Sequence, residues 1–377
     1  MIYLDHAATT PMRPQVWDGM RPYALDVFGN SSGVHSVSRM AKNALEDSRE
    51  RIASLIGASP MEVVFTSGGT ESDNLALKGA AWNGKERSGV VTVTTEHEAV
   101  LETVDLINRF DDPTTLVGVD KDGFVSPVDL LEAIDEYTAV VSVMLVNNET
   151  GLVQDLPTIT RAIKEEFPDV LVHTDAVQAY ASKDLDVSQL GVDMMTITGH
   201  KFGGPKGVGI LFVKEGTALE PVLHGGGQEL GRRSGTHDVA GAVGLSTAME
   251  LADADRDRFN EEVGQARDEL ERIILKTVDG AVPNSPSHNR SPHHFNVRIP
   301  GVRNETLLMR LDQLGVAASA GSACQSGAAT VSHVLEGMGL TADEARESVR
   351  FSFGWTSTVD EAREAAEMVA DLAVQLR

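Results

Sequence analysis

The sequence predicts an α/β protein: a large domain built on a seven-stranded, mostly parallel, doubly wound sheet, plus a smaller α+β domain. The chain has 377 residues, which suits a large domain with a second one beside it. Between residues 61 and 213, short runs rich in β-branched residues alternate with helical patterns. This alternation is typical of a parallel sheet covered by helices on both faces. A hydrophobic content of 41% is enough for a sizeable core.

Seven strands are predicted because most of these runs are almost continuously apolar, as expected of strands buried on both faces. They are Glu62–Thr66, Val90–Thr94, Thr115–Val119, Val140–Val146, Val170–Thr174, Met194–Thr198 and Gly207–Val213. Several of the intervening helices begin with proline or an acidic residue, which suits a helix N-terminus. The predicted helices include Glu71–Trp82, Ala99–Phe110, Pro127–Tyr137 and Pro157–Phe167.

The regions outside this alternation predict the smaller domain. A short apolar strand opens the chain at Met1–Leu4, and a long helical stretch runs from Thr236 to about Val278. The later elements are a loop at Pro283–His294, a strand at Phe295–Ile299, a helix at Asn304–Leu314, a short strand near Val316, a strand at Val349–Phe353 and a helix from Val359 onward. We therefore place the large domain at residues 15–256 and the smaller one at 1–14 and 257–377.

Composition and charge narrow the class of protein. The formal net charge of −24 argues against direct contact with nucleic acid, because phosphate binding needs clusters of Lys and Arg. No apolar run approaches the roughly 20 residues that cross a bilayer, and no secretory signal opens the chain. The only cysteine, Cys324, excludes an internal disulfide framework and a multi-cysteine zinc site. We expect a cytoplasmic protein whose acidic surface aids solubility or steers basic partners.

Unusual polar residues follow the predicted strands, at the edge where open α/β sheets bind ligands. The first strand leads into Ser67-Gly68-Gly69-Thr70-Glu71 and then a helix. Glycines allow close approach of the backbone, and a helix N-terminus offers free N–H groups, so this turn could hold a phosphate. It is not a Walker loop. A glycine-rich turn is more often only a turn, so this pattern alone leaves both interpretations open.

Four further strand ends carry polar groups, namely His97, Asn148, Asp175 with Gln178, and His200 with Lys201. Each of these groups alone could be structural. Together they offer a ring face, hydrogen-bond donors, an anion for a pyridinium nitrogen and an amine. Pyridoxal phosphate needs a lysine for its Schiff base, a carboxylate for its ring nitrogen and a phosphate anchor. The combined inventory therefore predicts pyridoxal phosphate as the cofactor.

An ordered set of motifs along essentially the whole chain resembles the class I cysteine desulfurases of the fold-type-I aminotransferase superfamily. These motifs are YLDHAATTP (Tyr3–Pro11), FGNSSGVH (Phe28–His35), FTSGGTESDNLALKG (Phe65–Gly79), TEHEAVL (Thr95–Leu101), VNNETG (Val146–Gly151), HTDAVQA (His173–Ala179), GHKFGGPKGVG (Gly199–Gly209), HGGGQE (His224–Glu229), RSGT (Arg233–Thr236), SAGSACQSG (Ser319–Gly327) and SVRFSFG (Ser348–Gly354). Single motifs are modestly specific, whereas the ordered set is highly specific. The resemblance implies a fold-type-I pyridoxal-phosphate transferase.

The resemblance also implies roles for individual residues. Lys201 would form the Schiff base, Asp175 would pair with the pyridinium nitrogen, and His97 would stack on the ring. Residues implied to bind elsewhere on the cofactor are Asn148 and Gln178 near the phenolic oxygen, Gly69, Thr70, Thr198 and His200 at the phosphate, and Thr236 from the other subunit of a homodimer. Three departures are visible: Thr198 stands where the family usually has serine, no proline follows Asn30, and Gly68-Gly69-Thr70 replaces the common Gly-Ala-Thr.

On the substrate side, the resemblance implies that Arg350 clamps the carboxylate of L-cysteine, Asn30 lines the site and Cys324 accepts the sulfur as a persulfide. The product would be L-alanine, and an acceptor protein for iron–sulfur clusters or tRNA thiolation would take the sulfur. A lone cysteine is often a buried small hydrophobe, but the small, polar stretch at 320–329 is typical of a surface loop. His97 is a candidate to activate the thiol.

Other functions remain open at this point. A selenocysteine lyase or a cysteine sulfinate desulfinase would depend less on Cys324. An inactive scaffold for sulfur carriers would need neither Lys201 nor Cys324, and an aminotransferase would release a keto acid. The adjacent His293 and His294 would point to opposite faces of a strand, which disfavours a metal site.

Overall fold

The computed structural model describes residues 1–83, 86–321 and 331–377. Its strands are β1 Ile2–Tyr3, β2 Val63–Thr66, β3 Gly89–Val93, β4 Thr114–Val117, β5 Thr138–Ser142, β6 Leu171–Asp175, β7 Met194–Thr198, β8 Gly209–Val213, β9 Val282–Pro283, β10 His294–Arg298, β11 Val316–Ala317 and β12 Ser348–Ser352. Its helices are α1 Pro14–Leu25, α2 Ser36–Leu55, α3 Gly69–Ala81, α4 Glu98–Asn108, α5 Pro127–Ala133, α6 Leu156–Glu166, α7 Val187–Leu190, α8 Val239–Ala254, α9 Arg256–Arg258, α10 Gly264–Thr277, α11 Asn304–Gln313, α12 His333–Gly337, α13 Ala342–Ala345 and α14 Val359–Leu376.

The central sheet has seven strands in the order β2-β8-β7-β6-β5-β3-β4. Only β8 runs antiparallel to its neighbours, and the other pairs are parallel. Every residue of β3, β5, β7 and β8 is buried, as the continuous apolar runs require. The predicted fold class is therefore confirmed. Because most of the strands are parallel, their carboxyl ends meet at one edge of the sheet.

Two smaller sheets join the beginning of the chain to its later part. Strands β12, β10 and β9 form an antiparallel sheet, and β1 pairs in parallel with β11. Helices α10 and α14 pack against each other. The N-terminal segment thus lies with the C-terminal elements. The domain boundaries at residues 15 and 257 stay a prediction.

Several predicted boundaries were wrong in detail. The strand expected at Val140–Val146 ends at Ser142, although the N–H groups of Val143 and Leu145 still donate to carbonyls on the neighbouring β6 side. The loop expected from Pro283 starts inside a short edge strand, β9. The long helical stretch is broken at Phe259–Val263 by a π-helical turn. Among the described residues, no helix is both long enough and apolar enough to pass through a bilayer.

Candidate active site

Lys201 lies immediately beyond β7, in a short 3₁₀ turn at Gly199–Lys201. Its Nζ donates to the carbonyl oxygens of Ala7 and Ala8, at 2.6 and 3.0 Å. Gln178 Nε2 donates to the same Ala7 oxygen at 2.9 Å. The N-terminal YLDHAATTP segment therefore brings the predicted Schiff-base lysine and Gln178 to one point.

Asp175 and His97 lie close to this lysine. Asp175 ends β6 and is 4% exposed, and its Oδ1 accepts a hydrogen bond from the Val177 N–H at 2.8 Å. His97 caps α4, where its Nδ1 accepts from the Ala99 N–H at 3.0 Å. This bond leaves Nε2 as the protonated nitrogen of a neutral ring. Burial lowers the pKa of His97, the Asp175 carboxylate raises it, and the Lys201 charge lowers it. The three groups are therefore within mutual electrostatic reach.

Two further buried carboxyl groups lie near Asp175. The pKa values of Asp73 and Glu96 are both raised well above the usual range of a carboxyl group. Burial is the larger cause, and the charge of Asp175 is the next. Burial raises the pKa of Asp175 too, but the charges of His97 and Lys201 oppose this. Three neighbouring buried carboxylates cannot all be ionised, so the one beside the cations carries the charge. The surroundings favour the ionised form at Asp175 and the neutral form at Asp73 and Glu96.

The turn before α3 has the features of an anion cradle. Gly68 is the N-cap residue with a φ of 147°, and no side chain caps the helix. The first N–H groups of α3 are therefore free to bind a ligand. A Cβ atom at Gly69 would lie 3.0 Å from Val177 Cγ2, whereas one at Gly68 would lie 3.8 Å from Thr198 Oγ1. The hydroxyl of Thr198 thus borders the turn, and Thr70 is exposed on it.

His200 lies beside Lys201. Burial, and then the positive charge of Lys201, lower its pKa to about 4. Its Nδ1 lies 3.2 Å from Thr9 Oγ1. At neutral pH the ring is uncharged, so it can serve an anion as a hydrogen-bond donor and not as a counter-charge.

Arg350 and Asn148 form a second part of the site, linked to the same N-terminal segment through Asp5. Arg350 is 3% exposed. Its Nη2 pairs with Asp5 Oδ1 at 2.7 Å, and its Nη1 donates to the Asn148 carbonyl at 3.0 Å. Arg350 Nε and Asn148 Oδ1 are buried without a hydrogen-bond partner in the described structure. Buried polar atoms are normally paired, so both point to a ligand that completes the site.

Three predicted site residues are not joined to this cluster. Asn30 is exposed, and its Oδ1 accepts from the Ser32 N–H. Thr236 is exposed and forms no hydrogen bond within the described ranges. Cys324 lies in the segment 322–330, outside the described residues.

Several residues of the site were missed in the sequence. Asp5, Ala7 and Ala8 lie in a motif that the sequence analysis quoted without assigning it a role. The carbonyl contacts of Ala7 and Ala8 leave no side-chain signal, because any residue supplies a carbonyl. Asp5 did leave one: it is an acidic residue directly after an apolar strand, the same pattern that singled out Asp175.

The groups present fit pyridoxal phosphate. The uncapped glycine turn offers backbone N–H groups to a phosphate, and the buried Asp175 carboxylate suits a protonated ring nitrogen. Lys201 supplies the amine. The unpartnered Asn148 Oδ1 and Arg350 Nε match polar atoms of a cofactor and a carboxylate substrate. The fold and the cluster together define a pyridoxal-phosphate-dependent enzyme of fold type I.

Comparisons with known proteins identify the family. The family model described as aminotransferase class-V matches residues 2–364, and the chain belongs to this family. The cysteine desulfurase IscS of Dictyoglomus turgidum is 39% identical over 380 residues, covering 100% of this chain and 95% of the relative. An IscS-like cysteine desulfurase of Mycobacterium tuberculosis is 40% identical, covering 100% and 97%.

Comparison with solved structures agrees with this family assignment. A NifS-like protein superposes with a TM-score of 0.93 at 33% identity, covering 100% of both chains. A structure titled SspA in complex with cysteine gives a TM-score of 0.83 at 35% identity, covering 94% of this chain and 99% of the other. The expected relationship to the class I cysteine desulfurases is confirmed.

Proposed function

We propose that this protein is a cysteine desulfurase, which converts L-cysteine to L-alanine and holds the sulfur as a persulfide on Cys324. One observation carries the proposal: a buried carboxylate, a lysine amine and a buried arginine with an open Nε converge at the carboxyl edge of the sheet. Relatives named cysteine desulfurase match the chain over its full length.

Each residue of the cluster supports one part of the reaction. Lys201 would hold pyridoxal phosphate covalently through Nζ, with the turn before α3, Thr198 and His200 at its phosphate and Asp175 at its ring nitrogen. When bound, the cofactor supplies an electron-withdrawing ring that weakens bonds at the substrate's Cα. Arg350 binds the substrate carboxylate through Nε, and the Lys201 amine moves the Cα proton.

Sulfur transfer is assigned to Cys324. Its thiolate attacks the substrate sulfur, a sulfur–sulfur bond forms and the carbon–sulfur bond breaks. The electron pair of the broken bond remains with carbon, which takes up a proton to give alanine. An ordinary thiol has a pKa of about 8.5, so a base must help at neutral pH. We assign this role to His97: burial lowers its pKa and keeps the ring neutral, and Nδ1 can take up the proton once it releases the Ala99 N–H.

The persulfide then passes to an acceptor protein for iron–sulfur clusters or tRNA thiolation, and the reaction takes place in the cytoplasm. A reducing compartment keeps an unpaired thiol available. We also propose a homodimer in which Thr236 completes the phosphate site of the partner subunit. The exposed position of Thr236 supports this arrangement.

Incubation of the purified protein with L-cysteine tests the function. We expect equimolar alanine and sulfide in the presence of a thiol reductant, and a mass increase of one sulfur atom on Cys324 without it. Cys324→Ala should lose both. Retention of turnover on free cysteine by Cys324→Ala would favour a lyase mechanism, and release of a keto acid would favour an aminotransferase.

A further inference from the structure

We infer that Glu149 is a positioning residue for the Cys324 segment: its carboxyl group links Gly321 and Ser332, which flank that segment, to the loop at Val146–Gly151 that contacts Arg350. Glu149 belongs to VNNETG, a motif in which the proposed mechanism uses only Asn148. Its side chain is 1% exposed. The proposal deepens the proposed function, on which its consequence for sulfur transfer rests.

Both flanks of residues 322–330 lie close to one oxygen of Glu149. Ser332 Oγ donates to Glu149 Oε2 at 2.6 Å. On the other flank, Gly321 has a φ of 94°, and a Cβ atom there would lie 2.5 Å from the same Oε2. Only glycine permits both this φ and this close approach. A single buried carboxyl group therefore bonds to one flank and leaves no room for a side chain on the other.

Each flank is also fixed to the active site. Gly321 lies two residues after Ser319, and Ser319 exchanges two backbone hydrogen bonds with Arg350, at 2.7 and 3.1 Å. Ser332 caps α12, and the next residue, His333, places Nε2 2.8 Å from the carbonyl oxygen of Glu96, which precedes His97. The flanks thus lie between the substrate clamp and the residue proposed to activate the thiol.

Glu149 is itself held rigidly. Its N–H donates to Asn147 Oδ1 at 2.9 Å, and Asn147 Nδ2 donates to the Thr95 carbonyl at 3.0 Å. Asn296 Nδ2 donates to the Glu149 carbonyl at 3.3 Å. Because the backbone of Glu149 is fixed from two sides, its side chain has little freedom to move and can hold the two flanks in place.

Glu149→Ala tests the role. The expected result is a fall of about tenfold in kcat for sulfur transfer with the KM for L-cysteine within about twofold, because Arg350 keeps its bond to Asp5. Glu149→Gln should recover most of kcat, since its amide oxygen can still accept from Ser332. Equal losses in kcat for the alanine and glutamine variants, or no loss in either, would overturn the proposal.

A second measurement does not need cofactor or turnover. Cys324 is the only cysteine, so alkylation of the folded apo-protein by iodoacetamide reports on that thiol alone. We expect the rate to rise about threefold or more in Glu149→Ala, because fewer contacts hold the flanks. Asp193→Asn is the matched control: Asp193 is a buried carboxylate paired with Lys164 at the opposite edge of the sheet, and its loss should leave the rate unchanged.

The two hypotheses fail separately. An alkylation rate in Glu149→Ala equal to that of the unaltered protein refutes the anchoring, whatever the enzyme does. Absence of any sulfur transfer in the unaltered protein refutes the proposed function, while a raised alkylation rate would still support the anchoring.

Discussion

At the residue scale, the site depends on which of three buried carboxyl groups is charged. Asp73, Glu96 and Asp175 lie close enough for their charges to interact, and all three have a raised pKa because of burial. His97 and Lys201 lie beside Asp175 and favour its ionised form. Burial favours the neutral form of Asp73 and Glu96, so the negative charge is favoured at Asp175, the residue that we propose for the ring nitrogen.

Substitution of two of these acids by asparagine separates the roles. Asp73→Asn replaces a neutral acid with a neutral amide of the same shape, so we expect kcat within about threefold of the unaltered protein. Asp175→Asn removes the charge and should lower kcat by a factor of about a hundred or more. Steady-state kinetics and the visible absorbance of the bound cofactor check both variants. Equal losses in the two would mean that the charge is not localised on Asp175.

Residue patterns singled out Lys201, Asp175 and His97 because each follows an apolar run, and the structure brings the three close together. Their roles toward the cofactor, which the resemblance implies, stay predictions. The contacts of the Ala7 and Ala8 carbonyls, and the proximity of Asp73 to Asp175, depend on tertiary packing across segments far apart in the chain. No local pattern encodes them, so the sequence could not indicate them.

At the element scale, a buried ion pair joins α2, β2 and the loop before α8. Arg49 binds both carboxylate oxygens of Glu229, at 2.7 and 2.8 Å, and the N–H of Phe65 donates to Glu229 at 2.9 Å. His237 Nε2 lies 2.7 Å from the same carboxylate. Glu229 adopts a φ of 49° to reach these partners. The left-handed backbone is held in place by four hydrogen-bonding contacts.

The Arg49–Glu229 pair should make the unfolding free energy depend on pH. Burial raises the pKa of Glu229, but hydrogen bonds from Arg49 and His237 outweigh it and lower the pKa from 4.5 to about 2. The stabilisation is present above pH 4.5 and is lost as the pH falls toward 2, because the unfolded chain then binds the proton first. At about 1.4 kcal/mol per pKa unit, it amounts to about 3 kcal/mol.

Glu229→Gln is the variant that measures it. The difference in unfolding free energy from the unaltered protein should be constant between about pH 5.5 and 8 and should shrink below about pH 4.5. Urea unfolding at a series of pH values gives this difference. A difference that grows as the pH falls would contradict the assignment.

Element boundaries were predicted less well than element types. The strand at 140–146 continues as an extended chain after its regular pairing ends, and hydrophobicity does not distinguish the two. Helices α1 and α2 lie before the alternating region, and our strand-based argument gave no prediction for them. Helix α1 even contains an internal proline, Pro22, which disfavours a helix in sequence-based reasoning.

At the scale of the whole molecule, several large apolar side chains near the beginning of the chain are exposed. They are Trp17 at 52%, Leu25 at 61%, Phe28 at 76% and Val34 at 89% exposed. Asn30 lies among them, and Ser31 Oγ is 2.9 Å from Nδ1 of His237, the neighbour of Thr236. Exposed apolar patches often mark interaction sites. This surface supports the homodimer that we propose.

Sedimentation of the purified protein tests the assembly. We expect a species of twice the 40.3 kDa chain mass. Phe28→Asp should shift the equilibrium toward monomer and lower cofactor affinity with it, because Thr236 would be lost from the partner's phosphate site. An active monomer that retains its cofactor would show that the site is complete within one chain.

The central claim is that Lys201, at the carboxyl edge of the sheet, holds pyridoxal phosphate. Borohydride reduction of the cofactor-loaded protein makes that linkage permanent, and peptide mass spectrometry then locates it. We predict a single pyridoxyl adduct on Lys201, and no adduct in Lys201→Ala. An adduct on another lysine, or none in a protein that is active with L-cysteine, would contradict the account.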